Sequence, residues 1–107
     1  MNSTAHVGAA GELFACNYFM NQGLEVCRNV AASGPVDLIV YNKENGRMLP
    51  IDVKSHRSVY VRSDGSYSGV NPYWEQSGVA RVIYIHGEDV IRLPDGFWGA
   101  LGMETAE

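Results

Sequence analysis

The sequence predicts one α/β domain in which a mixed sheet of about five strands is flanked by helices. Its 107 residues are enough for one hydrophobic core and too few for two, so residues 1–107 form a single predicted domain. The N-terminal part has the broad apolar stripe of a helix. The rest contains short runs rich in Val, Ile and Leu, separated by turn residues, as strands are.

The first predicted element is a helix over about residues 4–22. Gly23 is predicted to end it, because glycine readily adopts the left-handed backbone conformation that often follows a helix. Gly8 and Gly11 are unusual inside it, because each costs about 1 kcal/mol relative to Ala. The usual compensation is the close approach of another part of the chain or of a ligand. Glu12 lies beside them and is the first acidic residue of interest.

Five strands follow, and the segment between the third and the fourth is polar and rich in aromatic residues. In that segment we predict a small hairpin at Asp64-Gly65 and a short helical stretch over residues 73–76. Asn45-Gly46 predicts a tight hairpin between the second and third strands. The predicted strands cover residues 24–30, 36–41, 48–55, 80–86 and 90–93.

Composition restricts the class of protein. The formal net charge of -4 argues against a general polyanion binder, although clustered arginines and a bound divalent metal still permit DNA. No apolar run reaches the roughly 18 residues of a membrane span, and the N-terminus lacks signal-peptide features. We therefore expect a soluble, cytoplasmic protein without membrane contact. Cys16 and Cys27 have no ligand spacing and are predicted to be buried free thiols.

Three charged residues occupy the two strands of the predicted hairpin. Asp37, Asp52 and Lys54 are unusual there, because strand interiors exclude unpaired charges. A two-residue turn at Asn45-Gly46 would pair Asp37 with Lys54 and place all three on one face. A loop longer by two residues would change the partners but keep the shared face.

Two carboxylates and an ammonium on one face have a chemical use. Mg²⁺ prefers oxygen ligands and is typically held by one or two carboxylates with substrate phosphate and water. The metal activates a water, and a neighbouring lysine can orient it or offset negative charge. The alternative is a solvated hairpin face with an Asp37–Lys54 pair, which would contribute about 0.2–1 kcal/mol.

With Glu12 in "GAAGE", Asp37 in "GPVD", and Asp52 and Lys54 in "IDVK", the sequence resembles the PD-(D/E)xK nuclease superfamily. The resemblance covers about residues 8–56 and is strongest to archaeal Holliday-junction resolvases and small phage or intron-encoded endonucleases. It implies a restriction-endonuclease-like fold. It also implies Mg²⁺-dependent hydrolysis of DNA, with Mn²⁺ as a substitute. A phage could encode such a protein, which would then act inside the host cell.

The resemblance also implies roles for individual residues. Asp37 and Asp52, with the Val53 carbonyl, would bind the metal, Glu12 would assist through water or a second metal, and Lys54 would act on the attacking water. Arg28, Ser33 and Gly34 would correspond to the arginine and Ser-Gly loop of the resolvases, and Gln76 to a glutamine that some branches use. The other candidates for contact with DNA are Arg57, Arg62, Tyr67 and His56.

The partner predicted from this resemblance is duplex or branched DNA. A domain this small cuts one strand per active site, so we expect a homodimer. Two other functions remain open. One is a catalytically silent subunit of the same fold, and the other is a restriction-like subunit that depends on a separate recognition protein.

Overall fold

The computed structural model describes residues 4–31, 34–58, 60–66 and 71–103. Within them lie, in chain order, α1 (Thr4–Asn21), β1 (Glu25–Arg28), β2 (Leu38–Asn42), β3 (Arg47–His56), β4 (Tyr73–Trp74), β5 (Ala80–Ile85), β6 (Val90–Arg92) and α2 (Phe97–Ala100). The strands form one sheet in the order β1-β2-β3-β5-β4, with β6 also paired to β5. Only the β3–β5 pairing is parallel among the described pairs. The predicted α/β fold with a mixed sheet is confirmed.

The hydrophobic core lies between one face of the sheet and the two helices. Phe19 of α1 stacks on Phe97 of α2, with ring centroids 5.5 Å apart. The opposite face is open along the β2–β3 hairpin, where Ile39 and Met48 are exposed. Neither helix of the described residues combines the length and apolarity needed to cross a bilayer. The sheet residues of the core include Leu38, Val40, Leu49, Ile51, Val53, Ala80, Val82 and Tyr84.

Gly11 explains how closely α1 packs on the sheet. A Cβ built at this position would overlap the Ser55 hydroxyl and would lie 3.0 Å from the Ser55 Cβ and 3.2 Å from the Tyr84 ring. The close approach predicted for Gly11 is therefore confirmed, whereas Gly8 has nothing within 4 Å of such an atom. Tight packing at Gly11 holds Glu12 beside β3.

The β2–β3 hairpin is longer than a two-residue turn. Asn42 pairs with Arg47, so four residues form the loop and every predicted partner shifts by two. Asn42 and Asn45 both donate side-chain hydrogen bonds to the Leu101 carbonyl, at 2.8 and 3.0 Å. Contacts with the C-terminal segment thus stabilise a four-residue loop, whereas the local sequence alone predicts a two-residue turn. Asp37 still falls on the face of Asp52, as the longer-loop alternative requires.

Three smaller predictions are wrong. Residues 73–76 contain strand β4 and the start of a turn instead of a helix. Cys27 is exposed on β1, whereas Cys16 is buried as predicted. The apolar stripe of α1 is narrower than expected, because Leu13 and Met20 are half exposed. The predicted turn at Asp64-Gly65 is present, with Gly65 N–H bonded to the Arg62 carbonyl at 2.9 Å.

We expect Gly11→Ala to destabilise the fold by about 1–3 kcal/mol, because the new methyl group overpacks the helix–sheet contact. The matched control is Gly8→Ala, whose methyl group meets no atom within 4 Å. This control should be neutral or should stabilise α1 by up to about 1 kcal/mol through helix propensity. Urea unfolding measures both variants. Equal effects of the two substitutions would contradict the close contact at Gly11.

Candidate active site

Asp37 is attached to β3 directly beside Asp52. Its main-chain N–H donates to the Ile51 carbonyl at 2.8 Å, and its Oδ2 accepts a hydrogen bond from the Val53 N–H at 2.8 Å. These two bonds hold Asp37 to the residues on either side of Asp52, just beyond the last pair of the hairpin register, Leu38 and Ile51. Asp37, the residue just before β2, therefore lies next to Asp52 of β3.

The loop between β1 and β2 is braced by Asn29, a residue that the sequence analysis did not single out. Asn29 donates from its main chain to the Asp37 carbonyl at 2.9 Å and from its side chain to the Val36 carbonyl at 2.8 Å. Its Oδ1 accepts from the Ala31 N–H at 3.0 Å. An Asn that follows a strand is a typical local brace of this kind, and it holds the backbone on both sides of Asp37.

The surroundings of Asp37 change the ionisation of its carboxyl group. Burial raises the pKa of Asp37 to about 6, and its hydrogen bond to Asp52 and the negative charges of Glu12 and Asp52 act in the same direction. The hydrogen bond from Val53 opposes this increase in pKa, because it stabilises the ionised form. Asp37 therefore exchanges a proton close to neutral pH. Two oxygen-rich groups that repel one another in this way favour a bound cation.

Asp52 faces two positively charged side chains. The ammonium of Lys54 lies 3.5 Å from Oδ1, and Nε of Arg81 lies 3.5 Å from Oδ2. The Asp52 side chain is 9% exposed and that of Lys54 is 48% exposed, so the lysine extends from the site into solvent. The two cations keep Asp52 paired although it is buried in a strand. The predicted grouping of the three charged hairpin residues is thus present in the structure.

Arg81 was missed from the sequence alone. It lies in the otherwise apolar strand β5 and is brought to Asp52 by the parallel β3–β5 pairing, which places the two residues side by side. A local signal existed, because an arginine inside "ARVIYIH" is unusual in a buried strand. Its partner could not be known without the pairing of two strands that are distant in sequence.

Glu12 lies at the margin of this group. Its Oε1 is 3.6 Å from Nη2 of Arg28, and its charge contributes to the raised pKa of Asp37. Among the residues that the structure describes, no three acidic, histidine or cysteine side chains converge as metal ligands. The available donors for a metal are the two aspartates and the Val53 carbonyl, since a strand residue directs its C=O and N–H to the same side.

The remaining predicted residues that the structure describes lie at strand ends, in loops and in turns. His56 and Arg57 lie at the end of β3, where their carbonyls accept hydrogen bonds from His86 and Gly87 at 2.7 and 2.8 Å. Arg62 is exposed in the turn near Asp64, Gly34 is exposed with a φ of 108°, and Gln76 is exposed in the turn between β4 and β5. Ser33 and Tyr67 lie outside the described residues.

Comparison with solved structures finds a similar fold. The fold is similar to that of a bacterial homing endonuclease, I-Ssp6803I, with a TM-score of 0.60 and 19% sequence identity. The match covers 99% of this chain and 82% of that chain. No family model and no curated protein match the sequence. At this sequence identity, the similarity establishes the fold.

We expect Asp37→Asn to raise the melting temperature at pH 7.5 in the absence of metal. The pKa of Asp37 is higher in the folded protein than its ordinary value of 3.8, so the folded state holds the proton longer. Stability from this group is complete below about pH 4 and is lost as the pH rises through about 6. The Asn amide can keep the Val53 bond and donate to Asp52, without the negative charge.

Melting curves from pH 4 to pH 8 measure this difference. The variant and the wild type should converge below about pH 4, where Asp37 is protonated in both the folded and the unfolded states. A variant that is less stable than the wild type at pH 7.5 would contradict the raised pKa. Asp52→Asn provides the contrast, since it removes the charge that Lys54 and Arg81 face.

Proposed function

We propose that this chain is a Mg²⁺-dependent endonuclease of the PD-(D/E)xK type that hydrolyses phosphodiester bonds in DNA. The observation that supports this most directly is the hydrogen bond from the Val53 N–H that holds the Asp37 carboxylate beside Asp52, with Lys54 3.5 Å from Asp52. The fold shared with a structure described as a homing endonuclease supports the same class of reaction. Both Holliday-junction-resolvase-like and site-specific cleavage fit this site.

The donor chemistry of the site suits Mg²⁺ or Mn²⁺. Asp37, Asp52 and the Val53 carbonyl would hold the metal, and Glu12 would act through a bound water or a second metal. The raised pKa of Asp37 fits this role, because a cation would offset the repulsion between the carboxylates. When bound, the metal would supply an activated water and counter the negative charge that develops on phosphorus.

Lys54 and Asp37 have separate tasks in the proposed reaction. The half-exposed ammonium of Lys54 is positioned beside Asp52 to orient the attacking water and to stabilise charge on the phosphate oxygens. Asp37 must be ionised to bind a cation, and its pKa of about 6 permits this at neutral pH. We therefore expect activity at subsaturating metal to increase as the pH rises through about 6.

Three of the proposed DNA contacts are exposed arginines. Arg28, Arg57 and Arg62 are exposed at the ends of β1 and β3 and in the following turn, where phosphate contacts would set the position of the strand. Ser33, Gly34, Tyr67 and His56 complete the proposed DNA contacts, and Gln76 is a further candidate for the active site. A homodimer would place two such sites on one DNA molecule and cut both strands.

A second candidate function is a subunit that needs a partner for DNA recognition or that binds DNA without cutting it. The net charge of -4 favours the subunit that needs a partner, because proteins that bind nucleic acid by themselves usually have a basic excess. It predicts weak or absent cleavage by the isolated protein. A cleavage assay distinguishes this function from the proposed nuclease.

Cleavage of labelled four-way junction, linear duplex and supercoiled plasmid tests the proposal. With Mg²⁺ or Mn²⁺ the wild type should cut at least one substrate, and EDTA should abolish cutting. Asp37→Asn should lose activity, and Lys54→Ala should reduce kcat by about 10²–10³-fold, as loss of a group that stabilises the transition state does. Lys43→Gln is the matched control, because Lys43 is exposed in the β2–β3 loop and pairs with Glu25 at 4.0 Å.

The outcomes distinguish the functions. Metal-dependent cutting that Asp37→Asn and Lys54→Ala lose, and that Lys43→Gln keeps, would establish the nuclease and its site. Cutting that survives both substitutions would place the reaction elsewhere. No cutting of any substrate by the folded protein with metal present would favour the silent or partner-dependent subunit.

A further inference from the structure

A row of three side chains crosses the sheet at the level of the candidate site. Arg81 of β5 lies beside Asp52 of β3 in the parallel pairing, and Tyr73 of β4 lies beside Arg81 in the antiparallel pairing. Residues directly opposite one another on neighbouring strands project to the same face. Arg81 and Tyr73 therefore continue the site laterally towards β4.

The contact between Arg81 and Asp52 leaves a donor unsatisfied. Nε is 3.5 Å from the Asp52 carboxylate and is buried without a hydrogen-bond partner in the described structure. Hydrogen bonds between arginine and carboxylate groups are usually about 2.7–2.9 Å long. A buried donor without a bond is rare and calls for an explanation such as a ligand, an ion or water. The ion pair alone does not account for the position of Arg81.

Tyr73 holds the guanidinium from the other side. Cζ of Arg81 lies 4.9 Å from the centroid of the Tyr73 ring, within the range of a cation–π contact. The Arg81 side chain is 31% exposed, so it reaches solvent between the aspartate and the tyrosine. An aromatic ring that fixes a partly exposed guanidinium prepares this planar group to bind two oxygens of one anion, and a DNA phosphate presents two such oxygens.

We propose that Arg81, held by the Tyr73 ring, binds a DNA phosphate next to the bond that is cut. The identity of the ligand rests on the proposed function, because the site beside Asp52 is the site proposed to hold the reacting phosphate. This contact extends the DNA surface across β5 to β4, on the opposite side of the site from Arg28. Arg81 would then contribute affinity for DNA and position its backbone, in addition to being a counter-ion of Asp52.

DNA binding by variants in an Asp37→Asn background tests this contact without cleavage. Fluorescence anisotropy with labelled duplex and four-way junction, at several salt concentrations and with Mg²⁺ present, gives Kd and its salt dependence. Arg81→Gln should weaken binding about tenfold and reduce the salt slope by about one, as loss of one phosphate contact does. Lys43→Gln changes the net charge equally and should leave the slope unchanged.

Tyr73 gives a second and independent variant. It is half exposed on a short edge strand, so its substitution puts less of the core at risk than that of Arg81. Tyr73→Phe keeps the ring and should bind DNA like the background protein. Tyr73→Ala should weaken binding in the same direction as Arg81→Gln, and the double variant should be no weaker than Arg81→Gln alone.

Each outcome decides the inference. Equal Kd and salt slope for the background, Arg81→Gln and Tyr73→Ala would overturn it and would limit Arg81 to pairing with Asp52. If the wild type cuts DNA while these variants bind normally, only this inference fails. If the background protein binds DNA through Arg81 while the wild type cuts nothing, the phosphate contact stands and the proposed nuclease fails. A background protein that binds no DNA would overturn the inference.

Discussion

The hydrogen bond from the Val53 N–H to the Asp37 carboxylate is the constraint on which the site depends. It joins the residue just before β2 to the strand β3 and holds Asp37 against Asp52, although two carboxylates repel one another. Lys54 of β3 and Arg81 of β5 face Asp52 and reduce the free-energy cost of placing the two carboxylates together. The sheet thus maintains a concentration of oxygen ligands that is unfavourable in isolation and suited to a cation.

The scaffold holds this arrangement from three directions. Close packing of α1 at Gly11 brings Glu12 near the aspartates, and Asn29 fixes the backbone on both sides of Asp37. The parallel pairing of β3 with β5 places Arg81 beside Asp52. Helix packing, a loop brace and strand pairing therefore converge on one point of the sheet, at the edge of its open face.

Most of this site can be predicted from the sequence, because the positions of Asp37, Asp52 and Lys54 depend on local strand and hairpin patterns. Period-two alternation is sufficient to place Asp52 and Lys54 on one face, and a hairpin of either loop length places Asp37 with them. The actual loop length depends on Asn42 and Asn45, whose side chains bind the Leu101 carbonyl almost sixty residues away. Arg81 and strand β4 were missed for the same reason, since both depend on pairings between distant segments. Local patterns predict which face of the sheet a side chain occupies, whereas contacts between distant segments decide which residues on neighbouring strands are paired.

Proton release on metal binding tests the central claim most directly, because a cation that binds both aspartates must displace the proton that Asp37 retains up to about pH 6. Calorimetric titration of Mg²⁺ or Mn²⁺ in buffers of different ionisation enthalpy measures the number of protons released. We predict a release approaching one proton near pH 5, falling towards zero at pH 8, and weak binding without release for Asp37→Asn. Metal binding that releases no proton at any pH, or that is unchanged in Asp37→Asn, would contradict a metal centre at these two carboxylates.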